Sequence, residues 1–106
     1  MLAKFPELAH GITATAPGFY GPQGRTLRLT PSISDFHKKM ETFCYKGKKI
    51  CNFEMETSAL YYLGQTLEHN TLTICAVIGN RLTKEYSKDY RKAIEQMIDL
   101  VLKRIC

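Results

Sequence analysis

The run Thr71-Leu-Thr-Ile-Cys-Ala-Val-Ile78 constrains the fold of this chain more than any other stretch. It is continuously apolar or β-branched, the pattern of a strand covered on both faces in a parallel or mixed sheet. Its apolar centre, Ile74 to Ile78, is strand-sized and far short of the ~20 residues of a membrane helix. Such a strand needs neighbours on both edges. Helical patterns alternate with strand patterns along the chain, so the expected class is α/β with a parallel or mixed sheet. The chain has 106 residues, room for one small domain. It offers about three or four strands where an average sheet has ~5–6, so the sheet is expected to lack neighbours.

Upstream, Gly11 to Thr15 is short and β-prone and predicts a strand. It runs into Ala16-Pro-Gly-Phe-Tyr-Gly-Pro-Gln-Gly-Arg25, whose three Gly and two Pro exclude a helix interior or a central strand. Ile33, Phe36, Met40 and Phe43 recur at helical spacing and predict a helix over 34–43. Phe43 to Tyr45 and Lys49 to Phe53 flank Lys46-Gly47-Lys48, the pattern of a β-hairpin. Glu56 to His69 predicts a helix with Ala59, Leu60, Leu63 and Leu67 on one side, closing at a left-handed Asn70. The last helix carries one apolar stripe through Tyr86, Tyr90, Ala93, Ile94, Met97, Ile98, Val101, Leu102 and Ile105. Asp89 stands in its first turn and Lys103 with Arg104 in its last, as the helix dipole favours.

The formal charge is +5, and a basic balance raises the question of nucleic acid. The lysines concentrate at 38, 39, 46, 48 and 49, around the hairpin turn, where solubility and edge protection explain them without a polyanion. Four cysteines (Cys44, Cys51, Cys75, Cys106) show no zinc-like spacing. They are expected to be reduced and mostly structural, with Cys75 acting as a small hydrophobe in the apolar run. Lys4, Pro6 and Glu7 stand where a secretory signal would be apolar, which makes the cytoplasm the expected location.

Three places carry more polar specificity than architecture requires. On the Gly/Pro-shaped loop, Phe19-Tyr20 precedes Gln23 and Arg25. A Gln amide and a rigid Arg fork can together read the edge of a planar ring bearing carbonyls and an N–H, with an aromatic ring on its face. An ordinary surface loop is the competing reading. At Asn52-Phe-Glu-Met-Glu56 a strand gives way to a helix, and ligands of α/β sheets gather outside the carboxyl ends of strands. A carboxylate there suits a pair of neighbouring hydroxyls such as a ribose diol; it equally suits the first turn of a helix. The third place is Gly79-Asn80-Arg81, after the apolar run, which also fits a plain turn. His10, His37 and His69 are scattered, and no nucleophile is evident.

Taken in order, Gly11-Ile-Thr-Ala-Thr15, Phe19-Tyr-Gly-Pro-Gln-Gly-Arg25, Asn52-Phe-Glu-Met-Glu-Thr-Ser-Ala-Leu60 and Ile74-Cys-Ala-Val-Ile-Gly-Asn-Arg81 resemble the nucleoside phosphorylase family, specifically its uridine phosphorylase branch. The likeness runs from about His10 to the end. It implies part of a three-layer α/β fold with a mixed sheet, incomplete in this chain. It implies that Phe19 packs on the base, that Gln23 and Arg25 bond the uracil edge, and that Arg81 stands at the rim of the base pocket. Glu56 would hold the ribose hydroxyls, Met55 the sugar face, and Glu54 would support them. The implied reaction is phosphorolysis of uridine to uracil and ribose 1-phosphate. Phosphate is the co-substrate, with no cofactor or metal, and no side chain is assigned as nucleophile or general acid. The full-length protein is expected to be a homo-oligomer, binding neither nucleic acid nor membrane.

Purine-specific relatives and nucleosidases carry an Asp after the late strand, where this chain has Gly79-Asn80-Arg81. That departure favours a pyrimidine, and the small Gly79 leaves deoxyuridine and thymidine open. The family builds its phosphate site from Gly-rich turns and arginines in its amino-terminal half, and no such stretch precedes Gly11. Residues 1–106 are therefore expected to be the carboxy-terminal portion of a uridine phosphorylase-like domain, inactive alone. The alternatives are a catalytically inactive remnant or interaction module, a purine nucleoside phosphorylase or nucleosidase relative, and a basic nucleic-acid-binding domain.

Overall fold

The structure is a computed structural model and describes residues 2–106. The chain divides into two units, one spanning 7–72 and the other combining 2–6 with 73–106. In the first, strand β1 (Ile12–Thr15) pairs in parallel with β3 (Lys48–Glu54), and β3 pairs antiparallel with β2 (Cys44–Tyr45). The sheet order is β1-β3-β2, so the sheet is mixed, as expected. The β2–β3 hairpin turns on Lys46 and Gly47, both at positive φ (49° and 74°). Two positive φ values in a two-residue loop match the twist of the flanking strands.

Helix α1 (Phe36–Thr42) sets Phe36 edge-on against Phe53 of β3, with ring centroids 5.8 Å apart. Phe36 also lies against Gly24, whose φ is +73°, and a Cβ there would overlap the Phe36 ring. Both demands are met by glycine alone. Phe36 thus joins the sheet to the loop that follows β1.

Helix α2 (Thr57–Thr66) ends before the expected Asn70. The left-handed residue is Glu68 (φ 57°). The N–H of His69 donates to the Gly64 carbonyl at 2.7 Å and that of Glu68 to Gln65 at 3.3 Å, the bond pair of a Schellman close. Gly64 explains the early stop: Thr71 folds back against it so closely that a Cβ would overlap the Thr71 methyl.

In the second unit β4 (Gly79–Asn80) and β5 (Glu85–Tyr86) form a short hairpin, followed by α3 (Tyr90–Ile105). The Asp89 carboxylate accepts the Lys92 N–H at 3.2 Å, capping the helix. At the other end Arg104 donates to the Lys4 carbonyl at 2.6 Å. The stripe begins at Tyr90, because Tyr86 belongs to β5. Ile94, Met97 and Val101 are half-buried, while Ile98, Leu102 and Ile105 remain exposed.

The expected strand over 71–78 does not form. No ladder includes it, Val77 and Ile78 are 62% and 55% exposed, and Cys75 is exposed rather than core. An apolar run becomes a strand only where a sheet edge receives it, and among the described residues the only strands of its unit are the two-residue arms of the β4–β5 hairpin. All four cysteines are free thiols, and all are exposed. Among the described residues only Phe5 and Ala16 are buried hydrophobics. No helix of the described residues is long and apolar enough to cross a membrane.

Candidate functional site

Parallel pairing brings the carboxyl ends of β1 and β3 side by side, with Thr15 opposite Glu54. The Ala16 N–H donates to the Glu54 carbonyl at 2.9 Å, one rung beyond the last paired residues. From this common edge the two candidate segments diverge, the Gly/Pro loop from β1 and Met55-Glu56 from β3.

The loop closes on itself. The N–H groups of Gln23 and Arg25 donate to the Tyr20 carbonyl at 3.1 and 3.0 Å, around a 3₁₀ turn at Gly21–Gln23. That turn brings Phe19, Gln23 and Arg25 together. The Arg25 guanidinium lies 3.7 Å from the Phe19 ring centroid, and its Nη1 donates to Gln23 Oε1 at 2.7 Å and to the Phe19 carbonyl. Gln23 is 3% exposed, whereas the Phe19 ring is 52% exposed. The polar pair is anchored, and Phe19 is half exposed with one face of its ring under the Arg25 guanidinium. Arg25 also borders an open cavity of about 410 Å³ with Tyr20, Gly21, Leu27, Arg28 and Leu29.

On the other side, Glu54 is committed on both oxygens. Oε1 accepts the Thr15 hydroxyl, and Oε2 accepts the backbone N–H groups of Glu56 (2.7 Å) and Thr57 (2.6 Å). Burial pushes the Glu54 pKa up. The bonds from Thr15, the Glu56 and Thr57 N–H groups and the Thr57 side chain outweigh it, so the carboxyl is held below its ordinary value. Glu54 is therefore the carboxylate that satisfies the start of α2, while Met55 and Glu56 stay exposed. Glu56 Oε2 accepts the Met55 N–H at 3.2 Å. Glu54 thus takes the capping bonds, and Glu56 is exposed.

The pH dependence of this junction follows. A carboxyl with a lowered folded pKa stabilises the fold fully above the unfolded Glu value, about 4.3, and that stabilisation is lost as pH falls through the folded value. Acid titration of the chain is expected to expose the Glu56 and Thr57 amides to hydrogen exchange. Glu54→Gln is expected to remove most of that pH dependence. An unchanged acid profile in Glu54→Gln would assign it to other carboxylates.

These features meet in a sequence that matches the phosphorylase superfamily over residues 2–105. The chain belongs to that superfamily. It is 35% identical over 78 residues to a protein named uridine phosphorylase from Thermococcus kodakarensis (strain ATCC BAA-918 / JCM 12380 / KOD1). That alignment covers 74% of this chain and 27% of the relative, so the chain spans about a quarter of the curated relative it matches. No solved structure gives a significant match.

Within this phosphorylase-superfamily chain, six of the seven candidate residues lie at the β1–β3 edge. Arg81 lies in the second unit, exposed in the turn of the β4–β5 hairpin. Asn80 shapes that turn, its Oδ1 accepting the N–H groups of Leu82 (2.9 Å) and Thr83 (3.3 Å). Gly79 has a local reason to be small: a Cβ there would lie 2.8 Å from the ring of Tyr86, its cross-strand partner. Thr15 is the residue that sequence reasoning passed over. The only signal was a hydroxyl at the last strand position before the Gly/Pro loop, and its importance depends on a register made 39 residues away.

Proposed function

We propose that this chain carries the base-binding and ribose-binding part of a uridine phosphorylase-type site. The observation that supports it most is the contact cluster of Phe19, Gln23 and Arg25 at the end of β1, one strand from the Glu54-Met55-Glu56 segment. Uracil presents a flat face and an edge of carbonyl, N–H and carbonyl. In this reading Phe19 packs on the base and the Gln23 amide with the Arg25 fork bonds its edge, which requires the Arg25 guanidinium to leave the Phe19 ring and Gln23 Oε1. The exposed Glu56 carboxylate accepts from the ribose hydroxyls, and Met55 lies against the sugar. Arg81 keeps only the role at the base-pocket rim that the resemblance implies for it.

In the reaction a phosphate oxygen attacks C1′ of the ribose as the bond to uracil N1 breaks. The bonding electron pair leaves with the base. Negative charge spreads onto the uracil carbonyls, where donors from Gln23 and Arg25 lower its energy; cationic character on the sugar is met by the nearby carboxylate. Phosphate is the nucleophile, so the chain supplies positioning and electrostatics, and the reading calls for no metal or cofactor. Asn80, held in its turn and carrying no acid, suits a pyrimidine better than a purine that must be protonated. The reaction also needs a phosphate cradle, and the activity proposed is that of a cytoplasmic, homo-oligomeric protein that carries one.

The test is phosphate-dependent release of uracil from uridine by the chain completed with an amino-terminal phosphorylase half. Glu56→Ala is expected to weaken uridine binding by roughly tenfold to a hundredfold, the loss of charge-assisted bonds to two hydroxyls, and to leave free uracil binding in place. Equal uridine binding in Glu56→Ala would remove Glu56 from the ribose site.

A further inference from the structure

The geometry points to Thr15 as a positioning residue for the ribose-binding carboxylate, a role that rests on the uridine reading above. Its hydroxyl works in two directions. It donates to Glu54 Oε1 and accepts the Ser58 N–H at 3.0 Å. Glu54 Oε2 in turn holds the N–H groups of Glu56 and Thr57. The hydroxyl and the carboxylate together hold the N–H groups of residues 56, 57 and 58, the whole turn between β3 and α2. Thr57 at the centre of this turn is 6% exposed, while Glu56 beside it is exposed. The backbone is fixed and the Glu56 side chain presented.

A serine or threonine alone meets these demands. The group must give one hydrogen bond and receive another from a single atom, at the end of a strand, with its partner carboxylate directly opposite in register. Because Thr15 also precedes the buried Ala16, which bonds the Glu54 carbonyl, the start of the base loop and the start of the sugar segment hang on the same pair of residues. Base and ribose contacts are thereby set at one spacing, and loss of the hydroxyl releases the sugar side. The Arg25–Gln23–Phe19 contacts lie within the loop and do not pass through Thr15.

The experiment compares the 106-residue chain with Thr15→Val and Thr15→Ser, titrating uridine and uracil separately by NMR and following amide exchange at Glu56 and Thr57. Thr15→Val is expected to bind uridine about tenfold more weakly, the usual scale for one lost hydrogen-bonding group, with uracil binding unchanged and both amides exchanging faster. Thr15→Ser is expected to match the parent. Uridine and uracil weakened alike in Thr15→Val would make Thr15 a general structural residue and overturn the inference. So would unchanged uridine binding. A parent chain that binds neither ligand would overturn the uridine reading itself; the role toward ribose falls with it, and the exchange data separate that outcome from a hydroxyl that never held the turn.

Discussion

Replacing Arg25 by alanine is expected to weaken uracil and uridine binding together, by roughly tenfold to a hundredfold. The magnitude follows from what the guanidinium touches. A hydrogen bond to a charged donor contributes about 1.5–3 kcal/mol, and a cation over an exposed aromatic face about 0.5–1 kcal/mol. Arg25 makes both kinds of contact, to Gln23 Oε1 and to the Phe19 ring, so its removal takes a ligand contact and also the groups that orient the other two. Arg25→Lys is expected to recover little, because a lysine cannot present a planar fork to a carbonyl. Titration of uracil into the two variants measures both effects. Undiminished uracil binding in Arg25→Ala would show that the loop is not the base site. The contrast with Thr15→Val is diagnostic, since one variant affects every base-containing ligand and the other only those that carry the sugar.

Features determined by short stretches of chain were legible before the structure. The hairpin at Lys46-Gly47 and the start of α3 beside Asp89 both arise within a few residues of chain, where turn chemistry and side-chain reach dominate, although Asp89 caps the helix rather than standing in its first turn. Long-range geometry was not. Which carboxylate of Glu54 and Glu56 caps α2 depends on Thr15 standing opposite Glu54, a register set by a parallel pairing that no local pattern encodes. The end of α2 was misplaced for a similar reason: Asn70 has the better left-handed propensity, but the approach of Thr71 to Gly64 closes the helix at Glu68. Gly79 reads as pocket width in the sequence, and in the hairpin it also leaves room for Tyr86, which no local pattern announces.

The second large effect concerns the run that most constrains the fold. Residues 71–78 have the composition of a two-sided core strand, yet no ladder receives them, and α2 leaves Leu60, Leu63 and Leu67 exposed at 48%, 54% and 61%. Fully burying one such side chain contributes about 1.5–3 kcal/mol, so much of the apolar content of this chain contributes little to its own stability. Backbone amides of residues 74–78 are expected to exchange within a few tens-fold of the unstructured rate, against strong protection in β3, and the chain is expected to bind an apolar dye and self-associate with concentration. Addition of an amino-terminal phosphorylase half is expected to slow exchange across 74–78 by orders of magnitude and abolish dye binding, because a completed sheet supplies the missing edge. Protection of 74–78 in the chain alone, without dye binding, would mean that the run already has its neighbours. The outcome bears on the site as well as on stability. Arg81 directly follows this run and its two-residue strand β4 and belongs to the second unit, whereas Phe19, Gln23, Arg25 and Glu56 depend only on the β1–β3 edge that this chain forms by itself. Base and ribose affinity should therefore survive in the isolated chain in weakened form.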